Sequence, residues 1–185
     1  MEFCLHYYGK LKSRDNAFGK HQIRQQLHPQ MRSVCLSDQF REMYKVLDSK
    51  SEKSDEPHLY LDIGEKRYWY LISEEYKTLV DLNITILLPH AVGAIVNNGG
   101  DIDNRIKTLF DALRIPSVQS EIPSPDLFDY GKEGMFCLLQ DDKLINRVSI
   151  VSYQDHEPID KDSVRCFIEV KTKITQALVA NLALV

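Results

Sequence analysis

The sequence has no apolar run approaching the roughly 20 residues that a membrane-crossing helix needs, so no spanning segment is expected. Its four cysteines, Cys4, Cys35, Cys137 and Cys166, lie far apart and form no CxxC pair, which points to reduced, packed thiols. The first residues, Met-Glu-Phe-Cys-Leu-His-Tyr-Tyr, lack the basic and long apolar stretches of a secretory leader, so a cytoplasmic location is the expectation. Internal repeats and low-complexity tracts are absent as well, which excludes solenoids and fibrous proteins. Nor is there an excess of positive charge. Lys and Arg number 23 against 27 Asp and Glu, and the net −4 argues against an indiscriminate polyanion binder. The distribution of charge therefore matters more than its sum.

What is present suits one globular domain spanning 1–185: 185 residues, 43% of them apolar and 27% charged. Two polar or Pro-rich stretches, 48–57 and 115–134, read as loop insertions, the second as an irregular excursion that a partner would order. Alternation predicts strands near 3–8, 81–88, 144–153 and 164–171 and a short buried strand at 136–139. Residues 58–63 and 67–72 bracket Gly64-Glu65-Lys66 as a hairpin. Helical spacing predicts helices after Ser37 as far as Leu47, from Asp101 to Arg114, and over the Ala/Leu/Val-rich tail from Ile174 to Val185. The resulting fold class is α+β, with a mixed β-sheet and helices packed on one face.

Two charged features stand out. Between positions 10 and 32 the chain carries Lys10, Lys12, Arg14, Lys20, Arg24 and Arg32 against Asp15 alone, a local basic excess able to hold a phosphate backbone or simply to be a solvated face. The second feature is acidic. Asp101 and Asp103 open a helix on which Asp103, Lys107 and Asp111 align at intervals of four, and Asp141-Asp142 follows the short strand. Were that strand to end beside the helix start, several carboxylates would converge, and a hard divalent ion would relieve their repulsion. Singly, each acid also has an ordinary structural reading. Asp101 or Asp103 can cap the helix, Asp111 can pair with Lys107, and Asp141-Asp142 can form a turn. His21 and His28, seven apart, are read as solvated or packed.

The run Asp101-Ile102-Asp103-Asn104-Arg105-Ile106-Lys107, continuing through Phe110-Asp111-Ala112-Leu113 and followed by Asp141-Asp142, resembles the RusA family of Holliday junction resolvases over about residues 81–153. The resemblance implies a RusA-like homodimeric endonuclease, bacterial or phage-encoded, that uses Mg²⁺, with Mn²⁺ as a substitute. Such an enzyme makes paired symmetric nicks in a four-way DNA junction during recombination and repair. It implies Asp101, Asp103 and Asp142 as metal ligands, Asp141 as their support and Lys107 as the functional lysine. DNA would be held by Lys10, Lys12, Lys20, Arg24 and Arg105, with Asn104 of the motif in the same set. The alternatives are a non-catalytic RusA-like module that binds nucleic acid or protein, and a related nuclease acting on flaps, forks or RNA.

Overall fold

The computed structural model describes residues 1–38, 59–90, 102–123, 130, 133–178 and 181–182. Strict alternation produces the central strand. In β4 (Thr78–Leu88), Val80, Leu82, Ile84, Ile86 and Leu88 are buried while the intervening residues are more exposed, as period-two patterning requires. Its neighbour β7 (Ser163–Ile174) buries Val164, Cys166, Ile168 and Val170 in the same way. With β1 (Glu2–Lys10) and β6 (Ile145–Gln154) these strands form a four-stranded sheet of order β1-β7-β4-β6. The pairs β1–β7 and β7–β4 are antiparallel and β4–β6 is parallel, so the sheet is mixed.

A second, three-stranded sheet has the order β2-β3-β5. Here β2 (Tyr60–Ile63) and β3 (Lys66–Ile72) make the expected hairpin, and β5 (Met135–Leu139) runs parallel to β3. Ile63 pairs with Lys66, which leaves Gly64-Glu65 as the turn; Gly64 has φ +63°, a conformation glycine adopts without strain.

Two helices are described. In α1 (Ala17–Cys35) the side chain of Asn16 caps the first turn by accepting from the Gly19 N–H at 3.0 Å, and Ile23, Leu27, Met31 and Cys35 enter the core. In α2 (Ile102–Leu113) the buried stripe is Ile106, Leu109, Ala112 and Leu113. One cluster of buried side chains draws on both helices and both sheets, so the class is α+β.

Two expectations change, and others fall outside the described residues. The start of the tail is not the expected helix: β7 extends to Ile174, the Thr175 N–H donates to the Lys77 carbonyl at 2.8 Å, and buried Asn181, in a short 3-10 turn in which its N–H donates to the Leu178 carbonyl at 3.1 Å, donates from its side chain to the Tyr76 carbonyl at 2.7 Å. Backbone capture by the β3–β4 turn outweighs the helical propensity of the tail. Residues 115–123 are ordered by the chain itself, through the Ile115 N–H on the Leu139 carbonyl at 2.9 Å and Glu121 on Arg114 at 3.1 Å. The expected helix after Ser37 lies almost wholly outside the described residues, as does the 48–57 loop.

Candidate nucleic-acid interface

The amphipathic pattern of α2 fixes which way its polar residues point. With Ile106, Thr108 and Leu109 turned to the core, Asp103 and Lys107, one turn apart, are left exposed on the same side. The Asp103 carboxylate accepts from the Asn104 N–H at 2.7 Å, at the positive end of the helix dipole. Between α2 and the inward face of β6 runs a groove of about 520 Å³, lined by Ile102, Asp103, Ile106, Lys107, Phe110, Ile150 and Ser152. Its walls are mainly apolar, and its charges are those of Asp103 and Lys107.

The β1–α1 loop lies against the same two turns. Buried Leu11 anchors its start, the Asp15 N–H donates to the Thr108 hydroxyl at 3.3 Å, and Arg14 Nε donates to Asn104 Oδ1 at 3.4 Å. Arg14 takes φ +53°, unusual for a side-chain-bearing residue, and is exposed, as is Lys12. Arg14 therefore joins Asp103, Asn104 and Lys107 around the exposed start of α2, with exposed Lys12 two residues before it in the same loop. The basic segment marks Arg14, but nothing in the sequence reports its left-handed backbone or its bond to Asn104.

Other residues expected at the DNA do different work. Arg24 is 1% exposed; its Nε donates to the Arg114 carbonyl at 3.0 Å and its Nη2 to the Asp111 carbonyl at 2.6 Å, so it caps the last turn of α2 and cannot meet a phosphate. Lys20 is half-buried in an ion pair with Asp111 at 2.6 Å, and Asp111 also meets Arg114 at 3.4 Å, so its partners are not Lys107. Arg105 is partly buried, and that burial lowers its pKa while the nearby Cys166 opposes the shift. Lys10 is exposed but pairs with Asp162 at 3.2 Å.

The second acidic pair lies elsewhere. Asp141 caps a short 3-10 turn by accepting from the Lys143 N–H at 2.9 Å, the turn reading of that dipeptide. Asp142 is close enough to Arg114 to act on its charge. Burial alone would lower the Arg114 pKa, yet Glu121, Asp111 and Asp142 together hold it above its ordinary value. Arg114 immediately follows α2, whose twelve residues span about 18 Å, so Asp142 is associated with the end of the helix and Asp103 with its beginning. Asp101 lies outside the described residues. Among the described residues no three His, Cys, Asp or Glu side chains come together as a cation site. Of the three ligands that the resemblance implies, Asp103 and Asp142 are therefore described, towards opposite ends of α2, and Asp101 is not.

His21 and His28 are packed against aromatic rings. The His21 ring stands 5.3 Å from Tyr130, and His28 Nδ1 accepts from the Phe136 N–H at 3.0 Å. Burial lowers the pKa of both, to about 4 for His21, and the neighbouring cations lower it further. All four cysteines are free, three of them buried.

Comparison with known proteins finds no matching family model, no matching curated protein and no matching solved structure. No described helix is long and apolar enough to cross a membrane.

Proposed function

We propose that this protein is a structure-selective endonuclease of branched DNA, of the kind that the Asp101-to-Lys107 motif resembles, acting as a homodimer in recombination or repair. The observation that supports it best is the meeting of the β1–α1 loop with the first two turns of α2. Lys12, Arg14 and Lys107 would take phosphate oxygens, giving salt-sensitive binding with little sequence preference. Asp103 stands beside them as the carboxylate able to orient or deprotonate a water that attacks phosphorus while the bond to the 3′ oxygen breaks. Lys107 would offset the charge that develops on the phosphoryl oxygens.

A second reading, a non-catalytic module that binds branched nucleic acid through the same surface, is favoured by the position of Asp142 beside Arg114, away from Asp103. One experiment separates them. Labelled four-way junction, flap, fork, linear duplex and structured RNA are incubated with the protein with and without Mg²⁺ or Mn²⁺, beside Asp103→Asn and Lys107→Ala. Symmetric, metal-dependent nicks in the junction that disappear in Asp103→Asn support the resolvase. Cleavage of flaps, forks or RNA in preference reassigns the substrate, and binding without cleavage of any substrate supports the module. Equal affinity of Lys107→Ala and wild type for every substrate removes the surface from consideration.

A further inference from the structure

Arg24 sets a full charge inside the protein, and its surroundings are aromatic. His21, Arg24 and His28 recur along α1 at intervals of three and four and so share one side of the helix. On that side the Tyr130 ring stands 5.3 Å from His21, 6.4 Å from His28 and 6.5 Å from Tyr68 of β3. Arg24 acts electrostatically on the Tyr68 hydroxyl and on the Cys137 thiol of β5, which places its guanidinium in the same layer. A cavity of about 10 Å³ adjoins it, walled by Leu27, Met31, Phe136 and Cys137 among others, with room for one particle of about the size of water.

Three buried polar groups of this layer have hydrogen-bonding capacity to spare. Arg24 Nε and Nη2 serve the end of α2, but Arg24 Nη1, the Tyr68 hydroxyl and the Tyr130 hydroxyl are buried with no partner among the described residues. Arg24 is 1% exposed and Tyr68 0%, so bulk solvent does not reach them. Nη1 has two hydrogens to give and each phenol one, while the phenol oxygens are the only acceptors of the three groups, so donors are in surplus.

The cation is also short of a counter-charge. Glu121 stands 3.9 Å from Arg24 Nη2, but both of its oxygens accept from Arg114, at 3.1 Å each. Asp111 is tied to Lys20 and Arg114, and Asp142 bears on Arg114. Burial pushes the Cys137 thiol up to about 12, and burial together with Cys137 raises the Tyr68 hydroxyl, in each case against the pull of Arg24, so both stay neutral near pH 7. Lys66 adds a second cation, 4.6 Å over the Tyr130 ring.

We propose that Arg24 Nη1 and the hydroxyls of Tyr68 and Tyr130 bind one halide ion, chloride in ordinary salt, in the core between α1 and the sheet of β3 and β5. A halide accepts from several donors at once and brings the negative charge that the guanidinium lacks, whereas a water in its place must find acceptors for two hydrogens of its own. The cavity admits a single-atom ion and is too small for sulfate or phosphate. Bound there, the ion ties α1 to β3 and stabilises the fold in step with its occupancy. This site lies on the buried side of α1, stands apart from the nucleic-acid reading and is tested without DNA.

The full chain is exchanged into a gluconate salt, whose anion is too large for the cavity, and titrated with bromide at constant ionic strength. The melting temperature should rise saturably, by about 3–6 °C at a tenfold excess over the dissociation constant. Crystals grown in bromide should show an anomalous difference peak within hydrogen-bonding distance of Arg24 Nη1 and the Tyr68 hydroxyl. Tyr68→Phe and Tyr130→Phe, which keep the rings and each remove one donor, should raise the bromide dissociation constant about fivefold or more while retaining the wild-type far-UV spectrum. A melting temperature that does not respond to bromide overturns the proposal, as does one that climbs without saturating. So does an ordered water at the position of the expected peak, and so does bromide binding that is as tight in both phenylalanine variants as in wild type.

Discussion

Arg24 offers the sharpest separation between what charge patterning suggests and what packing imposes. In the sequence it is one of a run of cations; in the fold its side chain is fully buried and its guanidinium serves the end of α2. Replacing it with Ala removes two charged hydrogen bonds, to the Asp111 and Arg114 carbonyls, and opens a cavity beside Leu27 and Met31. A hydrogen bond involving a charged group contributes about 1.5–3 kcal/mol, and the cation also faces the negative end of the helix dipole. Part of this is offset because burial, which lowers the Arg24 pKa, is relieved in the variant. A net loss of about 3–4 kcal/mol is expected for Arg24→Ala, and about 2 kcal/mol for Arg24→Met, which refills the volume but still leaves the carbonyls without their donor. For a chain of this size each kcal/mol lowers Tm by about 2–4 °C, so the drops are about 10 °C and about 5 °C. Urea and thermal unfolding followed by circular dichroism measure both, with junction affinity determined well below the transition. The reasoning is refuted by an Arg24→Ala protein that melts like wild type but binds branched DNA more weakly, because that is the behaviour of a phosphate contact.

Three further outcomes follow from the same geometry. Asp103→Asn should abolish cleavage while tightening junction binding about two- to fivefold, since a surface charge repelling phosphate is removed; Lys107→Ala should weaken binding and reduce the slope of log affinity against log salt by about 1. Stability should fall as pH drops from about 6.5 towards 4. The folded pKa of His21 is lowered to about 4, so the unfolded chain takes up its proton first, and about 2 kcal/mol is lost at pH 5. Urea midpoints at pH 7 and pH 5 measure this, and His21→Phe should flatten the dependence. Gln30→Ala, which removes the side chain bonded to the His6 N–H and carbonyl on β1, should cost about 1–2 kcal/mol in urea unfolding, and an unchanged midpoint would mean that water replaces the glutamine without loss.

Periodicity made most of the framework legible. Leu82, Ile84, Ile86 and Leu88 alternate because one face of β4 is buried, and Val164, Cys166, Ile168 and Val170 do so in β7, so both strands could be read directly. The same holds for the buried stripe of α2 and for the Gly64 turn. Pairing was not legible, since no local pattern in β6 says that it lies parallel to β4, or that β5 leaves this sheet for the one built on β3. The start of the tail was not legible because Thr175 and Asn181 are held by hydrogen bonds to the distant Lys77 and Tyr76 carbonyls, which no local pattern reports.

Charge was the least legible quantity, and for a physical reason that also bears on the acidic motif. A lysine or arginine in a sequence carries the same letter whether it meets solvent, as Arg14 does, or closes the contact between two helices, as Lys20 and Arg24 do. The carboxylates divide in the same way. Asp103 faces solvent at the start of α2, Asp111 is tied to Lys20 and Arg114 in its last turn, Asp141 caps its own turn, and Asp142 bears on Arg114. Spacing along a helix brings Asp103 and Lys107 to one side, but spacing along the chain cannot say at which end of that helix a later strand returns. In this fold the return is fixed by Ile115 bonding to Leu139, which delivers the Asp141-Asp142 turn to the end of α2. The catalytic competence of the motif therefore turns on whether Asp103 acts together with Asp142 or without it. Asp142→Asn tested beside Asp103→Asn for metal-dependent cleavage distinguishes the two: equal loss in both requires the turn to reach the helix start, and loss in Asp103→Asn alone assigns Asp142 to holding Arg114.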